Sequence, residues 1–593
     1  MKHINKRARG AVAILVALGL ALVVPAPSFA DDEPDYSSLE FDSNAAYQGR
    51  FTDSGLTFDS YQVTYVTDPI AAFPDHFKLN IKVPVSYNDD VFDPAAVASG
   101  PILATNPWGG DNGAPVPDVG TIAGGNTQAM RTAWMTQGNV TVEVGMRGKG
   151  QTSGGINYGK MPAPFVDMKS AIRYLHFNTD LIPGDERKIF FSGFSSGGNG
   201  ASIIGAAGNT TLFDEYFDEI GAYTGPDARD DVFAVVVGSP AMARGTIWSE
   251  TRIWQLMYDR NKTAAQNIAD LKAVSPVNGL MLEQFVNWLN DKGITATVDG
   301  VPGTPITPDT LDDYMLPYLE ASADNAGDLT WDREWESFWI NHSGNSASQR
   351  DPATPGPFEA DQFYTGTILA DGVRSGGALS QGSFGARTAP GSVFSEVGLD
   401  WIQNHSAAPV VVSEEAEELL VFQRNATDPF YFLFGDNVAD GDVAIDVAPN
   451  WFIRAGAADA PLSIGMQAIL NATLESEGYN SDLVWDWNVG HAGATVFNAA
   501  SSAQILEWAN ARVAEFEAKV IDATPEASVK VGAGNTNLLT VKVTEVNYFG
   551  DEKELVEEFS IRNNASGSYQ VGPYSVFVDT KGNDQIREIY IAE

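Results

Sequence analysis

Two hydrophobic periods alternate along the chain. Short continuous apolar runs are followed by stretches in which apolar residues return every third or fourth position, and Gly, Pro, Asn and Asp gather between them. Residues 61–67 and 77–87 are rich in β-branched and aromatic side chains, and Phe77-Lys-Leu-Asn-Ile-Lys-Val83 alternates apolar with polar, which predicts an antiparallel start to a sheet. Residues 101–105 and 140–144 predict two short buried strands, which end in the glycine-rich runs Asn106-Pro-Trp-Gly-Gly-Asp-Asn-Gly113 and Gly145-Met-Arg-Gly148. Met168, Ala171, Ile172 and Leu175 recur at helical spacing and predict an amphipathic helix over 164–176. Ile189, Phe190 and Phe191 form a central strand, small residues over 201–207 suit a close-packed helix, and 233–237 is the next strand. Strands alternating with helices in this way predict an α/β chain with a doubly wound, mostly parallel sheet.

That rhythm stops near residue 241 and resumes near 446. The insert holds helical stretches around 251–258 and 281–289 and loops rich in Gly, Ser and Pro between 343 and 391, so it predicts a large cap rather than a second sheet. Trp248, Trp254, Trp288, Trp331, Trp335, Trp339 and Trp401 all fall within it. They would suit aromatic surface laid over a site, or the cap's own core. Strand 450–456, helix 463–474, strand 482–487 and a helix marked by Ile505, Ala509, Val513 and Phe516 complete the sheet domain. Beyond it, alternating strands at 528–546, 559–562 and 574–579 predict a small β-sandwich or part of one. The expected organisation is a leader over 1–30, a loosely held lead-in over 31–55, the sheet domain over 56–240 and 446–520, the cap over 241–445 and the β domain over 521–593.

Composition adds a compartment. Lys2, Lys6, Arg7 and Arg9 precede an apolar run over 11–24 and the small-x-small site Ser28-Phe29-Ala30, the pattern of a secretory signal that leaves a mature, extracellular chain starting at Asp31. No cysteine is present, so stability has to come from the core. The formal net charge is −41 and falls to about −45 once the four basic leader residues are removed. Such a surface repels nucleic acid and anionic membranes.

Chemistry concentrates in Lys188-Ile-Phe-Phe-Ser-Gly-Phe-Ser-Ser-Gly-Gly-Asn-Gly200, where a strand runs through a G-x-S-x-G turn into a helix. Glycine two before and two after Ser195 lets neighbouring elements pack without a Cβ clash; Ser196 does not qualify, because Phe194 stands two before it. A glycine-rich turn without catalytic work fits the same five residues. A serine nucleophile needs a histidine base oriented by a carboxylate. Of six histidines, His491 in Gly490-His-Ala-Gly493 is the one in a loop after a late strand. Asp459 follows strand 450–456 by a short turn and is the favoured carboxylate, with Asp486 and Asp436 as rivals. The chain order Ser195, Asp459, His491 is that of a hydrolase on a doubly wound sheet. The Ser196 backbone N–H and one from Gly109 or Gly110, with Gly109 favoured, are the candidate oxyanion donors.

Asn157-Tyr-Gly-Lys-Met-Pro-Ala163, Asp167-Met-Lys-Ser-Ala-Ile-Arg-Tyr-Leu-His176, Gly193-Phe-Ser-Ser-Gly-Gly198, Ile204-Gly-Ala-Ala-Gly-Asn209, Asn106-Pro-Trp-Gly-Gly110, Trp451-Phe-Ile-Arg-Ala-Gly456 and the loop at His491 together resemble the bacterial tannase family of α/β-hydrolases. The resemblance covers the sheet domain, weakens through the cap and is not visible in the tail. It implies serine-dependent hydrolysis of small carboxylic esters, gallate esters among them, with Ser195, Asp459 and His491 as the triad and no cofactor or metal. Such tannases carry a second aspartate two residues after the catalytic one, and here Pro461 stands there. Loss of that polar partner implies weaker discrimination for a tri-hydroxylated ring. A non-catalytic binding protein on the same scaffold and a peptidase of the same fold are the competing functions. The tail would suit contact with a wall or polymer, or packing alone.

Overall fold

The computed structural model describes residues 35–122, 124–328, 382–388, 395–405, 413–459, 462–491, 493–530, 537–547, 552–561, 566–581 and 585–591. Residues 35–38 belong to a leading unit, in which the Ser37 N–H donates to the Asp35 side chain. The signal segment, Trp331, Trp335, Trp339 and Pro461 lie outside the described residues.

A ten-stranded sheet carries the larger core. Its principal strands are β1 (Tyr47–Asp53), β2 (Leu56–Thr64), β3 (Lys78–Tyr87), β4 (Pro101–Thr105), β5 (Val140–Val144), β6 (Asp185–Phe194), β7 (Ala234–Gly238), β8 (Asn450–Gly456) and β9 (Asn480–Asp486). They lie in the order β1-β2-β3-β5-β4-β6-β7-β8-β9, and the short strand Asp90–Val91 pairs with β3. β1, β2, β3 and β5 pair antiparallel in succession, and every pairing from β5 to β9 is parallel. The structure is thus an α/β-hydrolase fold with a doubly wound, mostly parallel sheet. Strands β4, β5, β7 and β8 are buried along their whole length, because helices cover both faces of the parallel part. Phe190 on β6 lies level with Leu103 on β4 and Ala234 on β7, so large side chains alternate with a small one across the sheet.

One face is covered by α1 (Gln128–Met135) and α5 (Ala499–Glu517), which press Trp134, Ile505 and Trp508 onto Leu103, Phe190 and Phe452. Each fully buried aromatic or aliphatic side chain contributes about 1.5–3 kcal/mol. Helices α2 (Ala163–Phe177), α3 (Ser196–Ala206) and α4 (Ile464–Ser476) complete the domain. In α2 even Asp167, Lys169 and Arg173 are buried: Asp167 accepts from Arg147, while Lys169 and Arg173 share Asp230. Strand β1 falls in the segment expected to be a loose lead-in. It pairs with β2 over its length, yet only Phe51 of its ring-bearing residues packs inward against Phe58, and Arg50 bridges to Asp59 on the exposed face.

The described part of the insert is mainly helical, with helices Trp248–Met257, Ala264–Val274, Pro276–Lys292 and Leu311–Asn325 and one hairpin, Thr295–Val298 with Val301–Pro305. Trp254 is fully buried against Phe285 and donates its indole N–H to the Pro308 carbonyl, so it fills the cap's own core. Trp288 packs edge-on against Phe430 and Phe434. The tail forms two three-stranded antiparallel sheets around one apolar cluster that includes Leu539, Val541, Val543, Val576 and Val578.

Candidate active site

The site sits at the carboxyl edge of the parallel strands, where a doubly wound sheet presents its loops. Between β6 and α3 the chain turns at Ser195, whose backbone lies at φ 62°, ψ −120°. This left-handed conformation is unusual for a side chain larger than glycine's. Three backbone bonds hold it: the Ser195 N–H donates to the Gly238 carbonyl, and the Ser195 carbonyl accepts from Asn199 and Ala241. The flanking glycines are required by close approach. A Cβ on Gly193 would lie 2.2 Å from the Gly197 carbonyl oxygen, and one on Gly197 would lie 2.4 Å from the Asn106 side chain.

Asp459 stands in the turn after β8, with its N–H donating to the Gly456 carbonyl and its Oδ1 accepting from the Leu462 N–H. The Ala458 N–H donates to the Val489 carbonyl and so ties this turn to the loop that carries His491. His491 Nδ1 lies 2.8 Å from Asp459 Oδ2, and Nε2 lies 3.0 Å from Ser195 Oγ. A carboxylate only accepts, so Nδ1 carries the imidazole proton and Nε2 is left to accept from the serine hydroxyl. Asp459 is fully buried, while His491 keeps about a fifth of its side chain exposed. The structure therefore brings Ser195, Asp459 and His491 into one hydrogen-bonded line. The rival carboxylates are engaged elsewhere: Asp486 pairs with Arg454, and Asp436 pairs with Lys292.

The candidate oxyanion donors divide differently from expectation. The Ser196 N–H opens α3 beside the nucleophile. In the glycine loop the Gly109 N–H donates to the Asn112 carbonyl at 3.3 Å, closing a tight turn, and the Trp108 N–H donates to the Asn106 side chain. The amide favoured from the sequence, that of Gly109, is therefore engaged within the loop. Gly110, at φ 54°, keeps an N–H with no partner among the described residues and is the better donor from this loop.

A cavity of about 240 Å³ opens beside the serine turn, lined by Thr105, Asn106, Trp108, Asn126, Arg131 and Phe194 among others. Phe194 also lies against the His491 ring, with centroids 4.9 Å apart. The Arg131 guanidinium is held by Thr127 Oγ1, the Gly124 carbonyl and Glu143. The cavity lining thus mixes aromatic and strongly polar side chains, and it borders the triad through Phe194 rather than through Ser195 or His491 themselves. Among the described residues no group of three or more His, Asp or Glu is placed to hold a metal ion, and no helix is long and apolar enough to cross a membrane.

Sequence reasoning missed a second buried cluster here. Asp111, one residue after Gly110, accepts from Arg244, Ser196 and Ser383. A charged residue inside a glycine loop was its only local signal, since its partners lie 133, 85 and 272 positions away.

A family model described as BD-FAE matches residues 124–244, which span α1, α2, the serine turn and β7. Among solved structures, the chain superposes on the native tannin acyl hydrolase from Lactobacillus plantarum with a TM-score of 0.58 and 24% identity, covering 80% of this chain and 98% of that one. A tannin acyl hydrolase in complex with ethyl gallate gives the same figures. The Fusobacterium nucleatum tannase matches with a TM-score of 0.58 and 21% identity over 81% of this chain and 100% of its own. Among curated proteins no relative matches. In fold, the chain is tannase-like.

Proposed function

We propose that this protein is a secreted serine ester hydrolase. The observation that carries the reading is the unbroken line from Asp459 through His491 to Ser195, at 2.8 and 3.0 Å, on a serine held at a strained strand-to-helix turn. Ser195 Oγ attacks the ester carbonyl as His491 Nε2 takes its proton, and Asp459 holds the imidazole in the required tautomer. The N–H groups of Ser196 and Gly110 receive the negative charge that develops on the carbonyl oxygen, each worth about 2.7–4 kcal/mol when well placed. Collapse of the tetrahedral intermediate expels the alcohol with the proton from His491 and leaves an acyl-enzyme. Water, deprotonated by the same imidazole, then releases the acid.

The substrate class we propose is a small ester with an aromatic or related acyl group. Two arguments support it: the cavity beside Phe194 is lined by both aromatic and polar side chains, and similar folds have been captured with ethyl gallate and 3,4-dihydroxybenzoate. Pro461, in place of a second aspartate, argues for weakened preference between a tri-hydroxylated ring and a plain one. The signal-like leader supports export.

The test is product release by the mature chain from methyl gallate and from a plain aryl acetate, each beside Ser195→Ala. The variant is expected to lose roughly 10⁴-fold or more of kcat on whichever ester the protein cleaves. Release that persists in Ser195→Ala would refute the nucleophile. Cleavage of a matched aryl amide at a comparable rate would favour a peptidase instead.

A further inference from the structure

The Asp111–Arg244 pair takes no part in the line of Ser195, His491 and Asp459, yet it joins four segments of the chain at one buried point. Both side chains are completely buried, and Arg244 Nη1 reaches the two Asp111 oxygens at 2.6 and 2.5 Å. Asp111 Oδ1 also accepts from Ser196 Oγ at 2.8 Å, while the Asp111 N–H donates back to that hydroxyl at 3.1 Å. Asp111 Oδ2 accepts from Ser383 Oγ at 2.8 Å. Ser383 belongs to a cap segment fastened to the sheet domain, since its carbonyl accepts from the Met161 N–H and the neighbouring Phe384 carbonyl accepts from Lys160 Nζ. Arg244 lies near the rings of Trp108 and Phe384, at 5.5 and 5.9 Å.

Stability does not explain this arrangement. Two charges removed from water recover little more than their desolvation penalty, and apolar residues of the same shape would often serve as well. Asp111 also occupies the left-handed region at φ 63°, which costs energy for any residue but glycine. A buried ion pair of fixed geometry does hold backbone in place. The two N–H groups assigned to the oxyanion belong to Gly110, the residue before Asp111, and to Ser196, the residue whose hydroxyl Asp111 holds from both ends. Asp111 thus ties the two together, beside the Gly197 N–H to Trp108 carbonyl bond and the Asn106 amide bonds that join the same two segments.

We infer that Asp111, fixed by Arg244 and Ser383, is the positioning residue of the oxyanion site and couples the cap to it; the inference rests on the esterase reading above. Removing Asp111 alone strands the Arg244 charge and invites unfolding, so the test uses changes that leave the ion pair intact. Ser196→Ala and Ser383→Ala each delete one hydroxyl, and the Ser383 hydroxyl bonds Asp111 rather than any triad member. On an ester that the wild type cleaves, each is expected to lower kcat about tenfold with KM within about twofold. Affinity for a phenylboronic acid, which forms a tetrahedral adduct on Ser195, should fall by the same factor. Binding of the uncleaved ester to the Ser195→Ala protein should not change when either substitution is added. The pair Asp111→Ala with Arg244→Leu, which leaves no lone charge, is expected to lower kcat by about 10²–10³. If kcat and boronate affinity stay within twofold of wild type in both single variants, or if only KM or thermal stability changes, the positioning role is overturned. Hydrolysis that survives Ser195→Ala overturns the esterase reading instead, so the two failures are distinguishable.

Discussion

At Ser195 the backbone conformation itself is the functional feature. A serine at φ 62°, ψ −120° costs about 1–3 kcal/mol relative to an ordinary turn, and the bonds to Gly238, Asn199 and Ala241 offset that cost. Nothing larger than hydrogen fits at Gly193, because the added carbon would sit 2.2 Å from the Gly197 carbonyl oxygen and 2.4 Å from the Asn106 amide nitrogen. The first obstacle is backbone, which cannot rotate away as a side chain would. Gly193→Ala is therefore expected to destabilise the fold by about 3 kcal/mol or more and to remove serine-dependent hydrolysis from whatever fraction folds. Urea midpoints and burst titration of Ser195 would check both. A variant with wild-type midpoint and activity would mean that the turn tolerates a separation this reading forbids. The same logic explains why the serine was legible in sequence: two glycines at fixed spacing are a local requirement of the turn. His491 was legible by elimination among few histidines, and Asp459 by its place after β8. The Asp111–Arg244 pair was not, because it is a tertiary contact between two loops 133 positions apart: the turn signal around Asp111 marks a loop but names no partner. The choice between Gly109 and Gly110 is not legible for a related reason: it depends on which amide the tight turn to Asn112 consumes.

At the scale of elements, legibility followed burial. Strands β4, β5 and β8 match the sequence expectation residue for residue, because each is a short stretch rich in apolar or β-branched residues next to glycine or polar residues, although Glu143 in β5 and Arg454 in β8 are charged. Strand β1 did not announce itself, since an edge strand with a largely solvated outer face carries little hydrophobic pattern. Helix α1 escaped because it is short and because Arg131 stands among its buried positions, satisfied by Thr127 and Glu143. The cap helix Trp248–Met257 holds a comparable hidden feature with a measurable consequence. Burial pushes the Glu250 carboxyl up to about 7, opposed by the Ser395 hydroxyl and by the more distant Arg424. A carboxyl raised above its unfolded value near 4.5 binds more protons in the folded state, so stability falls as pH rises from about 4.5 to about 7 and levels off above. Over that window this one group costs about 3 kcal/mol. Glu250→Gln removes the titration. Its stability relative to wild type is expected to grow by about that amount between pH 4.5 and 7 and then to stay constant, as read from urea midpoints at a series of pH values. A difference that does not change with pH would show that Glu250 titrates normally.

For the molecule as a whole, the net charge of −41 is a property of its surface. Several basic side chains lie inside, and two buried clusters hold two cations for each carboxylate: Lys82 and Arg131 share Glu143, and Lys169 and Arg173 share Asp230. Elsewhere buried carboxylates make up the difference, so among the described residues buried acidic and basic side chains balance and the outer shell carries essentially the whole net negative charge. Repulsion among the surface carboxylates opposes the compact state and is long-ranged at low ionic strength, where the screening length is about 30 Å at 0.01 M and about 3 Å at 1 M. Sodium chloride is therefore expected to raise the thermal midpoint by several degrees between those concentrations, most of it below about 0.2 M. The same field acts on substrates. An ester with a free carboxylate approaches against repulsion, so its kcat/KM should rise with salt, whereas that of a neutral aryl ester should stay nearly flat once the stability change is allowed for. Measuring both esters across one salt series separates the two effects. If the midpoint is insensitive to salt, the surface carboxylates are spaced widely enough not to oppose folding. If the two esters respond alike, the acidic shell does not extend its field to the mouth of the cavity beside Phe194.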